Sequence, residues 1–243
     1  MRLHRLLPTA LAALLALAAT LAHAQTVAPA PRGPWQDTLD AFAAADRASQ
    51  PKPGGVLFVG SSSIRLWDGL EQQFDASHQV LKRGFGGSRL ADCADLLDKL
   101  VLPYAPRLVV VYAGDNDIAA GAKPEDVLVS FQRFVTGVRS ALPATDIAFL
   151  SIKPSPAREA LLPTMHAANA LIERWAATQQ RVAYLDVYSR MLDAQGRPRR
   201  ELFAADRLHL NRDGYALWRE VIAAHLSAAA AGPPATPTRA LSP

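Results

Sequence analysis

The chain has 243 residues, half of them hydrophobic and a fifth charged, which is enough apolar material for one substantial core and argues against a disordered polymer. The formal net charge is +4. Arg2 and Arg5 supply two of those charges within a segment expected to be removed, and the remaining +2 is too weak to point to nucleic acid or an acidic membrane surface.

Residues 1–24 read as a secretory signal. Arg2 and Arg5 form a basic start, residues 10–21 are uncharged and rich in alanine and leucine, and Ala22-His23-Ala24 is an A-x-A cleavage site before Gln25. The apolar run is short of the roughly 20 residues of a membrane-spanning helix, so an uncleaved anchor is the lesser alternative. The expected destination is the periplasm or the exterior of a bacterial cell, with no integral membrane segment after processing. The only cysteine, Cys93, allows no internal disulfide, so packing must hold the fold; on a helix it serves as a small hydrophobe.

Residues 25–34 form a flexible leader rich in proline and alanine. A helix is expected over 35–48, with Leu39, Phe42 and Ala43 on its apolar side. Residues 51–55 break it, and Val56-Leu57-Phe58-Val59 is a short apolar run typical of a buried strand. A helix over 63–74, a weak strand over 80–82 and a leucine-rich helix over 89–101 follow. Residues 108–112 predict a strong buried strand, and 124–142 a helix with Pro124 in its first turn. A strand over 147–152, a helix from about 163 to 180 and a strand over 182–187 come next. The last helix runs from 212 to about 229 with Asn211 as N-cap. A tail, 231–243, is again rich in proline and alanine and is expected to be disordered.

Strands that alternate with helices imply a parallel sheet covered on both faces. The expected fold is an α/β three-layer sandwich of about five strands in a single domain over 35–230. In such sheets functional groups gather just beyond the carboxyl ends of the strands. There the sequence has Gly60-Ser61-Ser62-Ser63 after the first strand, Gly84-Phe85-Gly86-Gly87-Ser88 after the second, and Gly114-Asp115-Asn116-Asp117 after the third. Asp206-Arg207-Leu208-His209 precedes the last helix.

These residue types suit acyl transfer, which needs a hydroxyl to attack, a base to take its proton, a carboxylate to orient the base, and donors for the oxyanion. A serine at a strand-to-helix turn is exposed and lies at the positive end of a helix. Asp206 and His209 are spaced so that the carboxylate can hold Nδ1 while Nε2 faces the serine. Gly87 can offer a backbone N–H, and Asn116 a side-chain N–H. Each block alone is weak: a serine-rich turn is usually a turn or a phosphate loop, and an Asp–His pair is often a surface pair.

Taken in order, the four blocks resemble those of the SGNH hydrolase superfamily, the GDSL-like esterases: G-D-S near the start, a glycine, G-x-N-D, and D-x-x-H near the end. The resemblance covers nearly the whole chain after the leader. It implies a flavodoxin-like sandwich, Ser62 as nucleophile, Asp206 and His209 as its triad partners, and an oxyanion hole made by Ser62, Gly87 and Asn116. It implies no cofactor and no metal. The family's aspartate after the first glycine is replaced by Ser61, which is not a triad position.

Asp115 and Asp117 read as loop-stabilising. His78, His166 and His225 lack companions for a metal site, and Trp67, Trp175 and Trp218 read as core or near-core. Arg65, Arg89 and Lys153 lie near strand ends and are candidates for substrate contact, against the default of solvated charge. The absence of G-x-S-x-G argues against the α/β-hydrolase fold, and that of G-x-G-x-x-G after the first strand against a dinucleotide. The expected activity is hydrolysis of small carboxylic esters, short-chain or O-acetyl, with acetylated carbohydrate or lysolipid as candidate substrates. The alternatives are a lysophospholipase or thioesterase of the same fold, a non-catalytic binding module, and a flavodoxin-like phosphate binder. The polar connector 189–205 and the short loop 151–158 predict an open site without a greasy lid.

Overall fold

A computed structural model describes residues 33–231. The expected signal, most of the leader and the tail from 232 onward lie outside the described residues. Ala231, expected in the tail, closes the last helix instead.

The elements follow in the order α1 (Gln36–Ala48), β1 (Val56–Gly60), α2 (Ser62–Arg65), β2 (Val80–Gly84), α3 (Leu90–Asp95), α4 (Leu97–Leu100), β3 (Leu108–Tyr112), α5 (Asp115–Ala119), α6 (Pro124–Ala141), β4 (Asp146–Leu150), α7 (Leu162–Ala176), β5 (Val182–Leu185) and α8 (Arg212–Ala231). Short 3-10 turns join several of them. The five strands make one parallel sheet in the order β2-β1-β3-β4-β5. This is the expected fold class.

Strict alternation divides the strands between two cores. Leu57, Val59, Val109, Val111, Ile147 and Phe149 point to one face, under α3, α4, α6 and α7. Val56, Phe58, Val110, Tyr112, Ala148 and Leu150 point to the other, under α2 and α8. A sheet buried on both faces explains why these strands read as continuous apolar runs. Trp67 and Trp218 are fully buried on the α8 face, and Trp175 packs at the edge of the opposite core. Helix α1 is fixed to the sheet edge by Arg83 of β2, which pairs with Asp46 and lies over the rings of Phe42 and Tyr104 at 4.9 and 4.6 Å.

Five expected elements are corrected, by side-chain hydrogen bonds or by a local kink. The helix expected over 63–74 stops after one turn. The carbonyls of Trp67 and Asp68, needed for the next turn, are taken by Lys82 Nζ (2.9 Å) and Gln73 Nε2 (2.8 Å). The helix expected over 89–101 kinks at Leu96 (φ −107°, ψ 20°), while Leu90, Cys93, Leu97 and Leu100 still reach the core. Strands β4 and β5 end two residues early. Ser151 Oγ accepts the N–H of Val187 and of Tyr188, both at 2.9 Å, and Asn169 pairs with both backbone groups of Ile152. Helix α7 ends at Ala176, short of 180, where Thr178 bonds the Trp175 carbonyl through both its N–H and its hydroxyl.

The strand order reverses direction at β1 and β3, so the crevice at their carboxyl ends is the switch point where ligands bind in open α/β sheets. Asn211 caps α8 as expected: its Oδ1 accepts the N–H of Asp213 (2.9 Å) and Gly214 (3.1 Å). Its Nδ2 also donates to the carbonyls of Glu201 (2.7 Å) and Phe203 (3.2 Å), tying the helix start to the connector before it. Asn211→Ala should therefore lower the unfolding free energy by about 1–2 kcal/mol. Urea denaturation measures this, and an unchanged midpoint would contradict the capping role.

Candidate active site

Strand β1 ends against β3 at a contact only glycine permits. Gly60 has φ +145°, and a Cβ there would come within 1.9 Å of the Tyr112 carbonyl oxygen. Ser61 N–H then bonds that carbonyl at 3.0 Å. The chain turns at once into α2, with Ser62 at its first position, where no preceding helical carbonyl is available to its N–H.

His209 Nε2 lies 2.9 Å from Ser62 Oγ, across 147 residues of sequence. On the other side of the ring, Nδ1 lies 2.6 Å from Asp206 Oδ2. The remaining oxygen of Asp206 accepts the N–H of Leu208 (3.0 Å) and of His209 (2.9 Å). Burial alone would raise the Asp206 carboxyl, but the bonds from the His209 ring, the His209 N–H and the Leu208 N–H outweigh it and bring it down to about 2. An ionised carboxylate can only accept, so Nδ1 must carry a proton, and in the neutral ring this leaves the lone pair on Nε2 facing the serine hydroxyl. The Asp206 side chain is 49 % exposed and that of His209 24 %, so this end of the site opens to solvent.

Gly87 has φ +76°, and the space where a side chain would stand is empty, leaving its backbone open to an approaching ligand. Asn116, in the first turn of α5, donates from Nδ2 to the Ser88 carbonyl at 3.0 Å, so the segments after the second and third strands meet there. Asp117 stabilises the same loop: both its oxygens lie within 3.1 Å of the Leu90 N–H. Asp115 turns inward to Lys153 and Arg158. Neither acid meets Ser62 or His209 in a hydrogen bond, in keeping with structural duty.

Of the three basic candidates for substrate contact, Lys153 is corrected. It is 1 % exposed and its ammonium pairs with Asp115 Oδ2 at 2.8 Å, because a buried cation needs a partner. Arg65 is exposed, with its guanidinium beside Gly86: a Cβ there would lie 2.8 Å from Nε. Arg89 is exposed next to Ser88. The Ser61 hydroxyl, in place of the family's aspartate, is buried without a hydrogen-bond partner.

Sequence reasoning missed the role of 151–158. Residues 151–156 of this loop are buried, and it braces the segment that carries Asp206 and His209: Ala157 N–H bonds the Arg207 carbonyl at 2.9 Å. Two prolines, Pro154 and Pro156, were the available signal of a rigid rather than a mobile loop.

The matched family is the GDSL-like lipase/acylhydrolase family, whose model covers residues 55–217. This chain belongs to that family and is an ester hydrolase by that membership. Solved structures share its fold. A Streptococcus pneumonia protein provisionally described as a platelet activating factor is 22 % identical, with a TM-score of 0.69 over 79 % of this chain and 92 % of that one. A GDSL-like lipase from Bacteroides thetaiotaomicron is 18 % identical, with a TM-score of 0.68 over 78 % and 97 %. A family 3 carbohydrate esterase from Talaromyces cellulolyticus is 18 % identical, with a TM-score of 0.57 over 72 % and 96 %. No curated protein matches the sequence.

Burial raises the Asp117 carboxyl from 3.8 to about 6, against the lowering effect of the Leu90 N–H. A carboxyl raised on folding binds its proton more tightly when native. Its contribution to stability is complete below pH 3.8 and is lost as pH rises through about 6. Asp117→Asn, which keeps an acceptor for Leu90 and cannot ionise, should gain stability relative to the parent between pH 5 and pH 8. Urea unfolding of both proteins at the two pH values checks this, and a difference independent of pH would contradict it.

Proposed function

We propose that this protein is an exported serine esterase that hydrolyses small carboxylic esters, short-chain or O-acetyl, through an acyl-enzyme. The observation that carries the reading is the unbroken line of hydrogen bonds from Asp206 through His209 to Ser62, at the switch point of the sheet.

In this mechanism Ser62 Oγ attacks the ester carbonyl carbon while His209 Nε2 takes the hydroxyl proton. Asp206 stabilises the imidazolium that forms and remains ionised. The negative charge that develops on the carbonyl oxygen is met by the backbone N–H groups of Ser62 and Gly87 and by Asn116 Nδ2. Collapse of the tetrahedral intermediate breaks the bond to the alkoxy oxygen, and the imidazolium gives that oxygen its proton. Water then attacks the acyl-enzyme with His209 again as base, releasing the acid and restoring Ser62.

The openness of the Asp206–His209 end supports small acyl groups. A shallow site buries few methylenes, and each contributes only about 0.8 kcal/mol. The connector 189–205 supports the same reading, since it is laced with exposed ion pairs, Arg190–Glu220, Arg197–Asp193 and Arg199–Glu201, rather than an apolar cover. The shared fold with family 3 carbohydrate esterases is consistent with O-acetylated carbohydrate as substrate. The A-x-A site at 22–24 supports export to the periplasm or beyond.

Ser62→Ala should lower kcat on p-nitrophenyl acetate by several orders of magnitude, whereas Ser61→Ala and Ser63→Ala should keep much of the activity. Loss of activity in the Ser63 variant alone would move the nucleophile. Asn116→Ala should lower kcat by roughly 10²–10³ with little change in KM, and an unchanged kcat would remove it from the oxyanion site. Across p-nitrophenyl esters from acetate to palmitate, kcat/KM should be greatest at the short end without a jump at the micelle boundary. A maximum at long chains would favour lysophospholipid substrates.

A further inference from the structure

Behind the oxyanion donors lies a set of buried charges that the reaction does not itself use. Arg158 Nη2 donates to Asn116 Oδ1 at 2.9 Å. Its other terminal nitrogen, Nη1, lies 3.1 Å from Asp115 Oδ2 as an ion pair rather than an aligned hydrogen bond. The same oxygen of Asp115 receives Lys153 Nζ at 2.8 Å, and that ammonium also reaches the Tyr112 hydroxyl at 3.2 Å. The side chains of Lys153, Asp115 and Arg158 are 1 %, 5 % and 17 % exposed. Two cations thus share one carboxylate in a nearly dry wall beside Asn116.

We infer that Arg158 is a positioning residue for the oxyanion site, holding the Asn116 amide so that Nδ2 faces the reacting carbonyl. This rests on the reading of Asn116 as an oxyanion donor.

An asparagine amide has two faces of similar shape, and only its partners decide which way it turns. A guanidinium can only donate, and the Ser88 carbonyl can only accept. Reversing the Asn116 amide would set an NH₂ against Arg158 and an oxygen against the Ser88 carbonyl, so both neighbours enforce one orientation. With one Nδ2 hydrogen on Ser88, the second remains for the substrate oxygen. A charge-assisted bond at Oδ1 also polarises the amide and makes that N–H a stronger donor. Asp115 and Asn116 are consecutive in the first turn of α5, and the planar fork of Arg158 reaches both, so one side chain sets their relative orientation. The second cation, Lys153, leaves the set with a net positive charge close to where negative charge develops.

The test uses the full chain and p-nitrophenyl acetate. Arg158→Met should lower kcat by about 10–100-fold with KM within about twofold. Arg158→Lys, which keeps one charged donor but not the fork, should recover only part of the loss. Arg158→Gln, which retains a donor, should recover part of the loss. The same Arg158 changes made in an Asn116→Ala background should have little further effect, because the contribution passes through that amide. A purely structural role would lower the melting temperature and the active fraction without this dependence on Asn116. Losses that multiply in the double variant, or that fall on KM with kcat preserved, would overturn the proposal. Should Arg158→Met not fold, the Lys and Gln variants carry the same comparison. Full activity in Ser62→Ala would instead remove the reading of the site, and the positioning role with it.

Discussion

At the tips of β1 and β3 the backbone of Gly60 lies so close to the Tyr112 carbonyl that no side chain fits between them. The rest of the site depends on this approach. It lets Ser61 N–H reach Tyr112, while Phe85 N–H takes the Gly60 carbonyl at 2.8 Å. Three strand ends are thereby stitched together at one level. From that level the chain leaves β1 into α2 with Ser62, leaves β2 through Gly87, and leaves β3 into α5 with Asn116. The segment bearing Asp206 and His209 belongs to no strand. It is brought over the same point by the rigid loop 151–158 below it and by Asn211, which ties the start of α8 back to the connector.

The two halves of the site are built under opposite electrostatic conditions. The Asp206–His209 half is open to water, and its carboxylate is held ionised by three hydrogen bonds that survive solvent contact. The Asn116 half is backed by Lys153, Asp115 and Arg158, which are withdrawn from solvent. Desolvating charges is costly, and a buried ion pair is weak evidence for stability. Burial opposes the Asp115 carboxylate, yet Lys153 and Arg158 hold it below its ordinary value. Such an arrangement makes better sense as fixed polarity than as a stabilising device: dipoles that do not reorganise during the reaction act most strongly on charge that appears during it. In the proposed mechanism the exposed half moves protons and the buried half holds still.

Much of this was legible in the sequence because it rests on local rules. Apolar runs of four or five residues marked β1 and β3, since a doubly covered strand has no polar face to interrupt it. Asn211 was readable as a cap because its partners lie two and three residues on. That Ser62, Asp206 and His209 meet was foreshadowed by the resemblance of the motifs at strand ends and before the last helix to those of the family. What escaped detection depends on groups far apart in sequence. No period in 63–74 discloses that Lys82 will take the Trp67 carbonyl. Nothing local to Ser151 says that its hydroxyl will end two strands by accepting two N–H groups from residues 187 and 188. Lys153 looked like a solvated charge near a strand end, and only the fold shows Asp115, at the start of α5, waiting for it.

The claim on which all of this turns is that the Ser62 hydroxyl is the nucleophile. It is tested most directly by treating the protein with a fluorophosphonate and locating the adduct by peptide mass spectrometry. The account predicts a single covalent adduct on Ser62, lost when His209 is replaced by alanine. An adduct on Ser61, Ser63 or a residue outside this turn, or a protein that remains unlabelled while it hydrolyses esters, would contradict it.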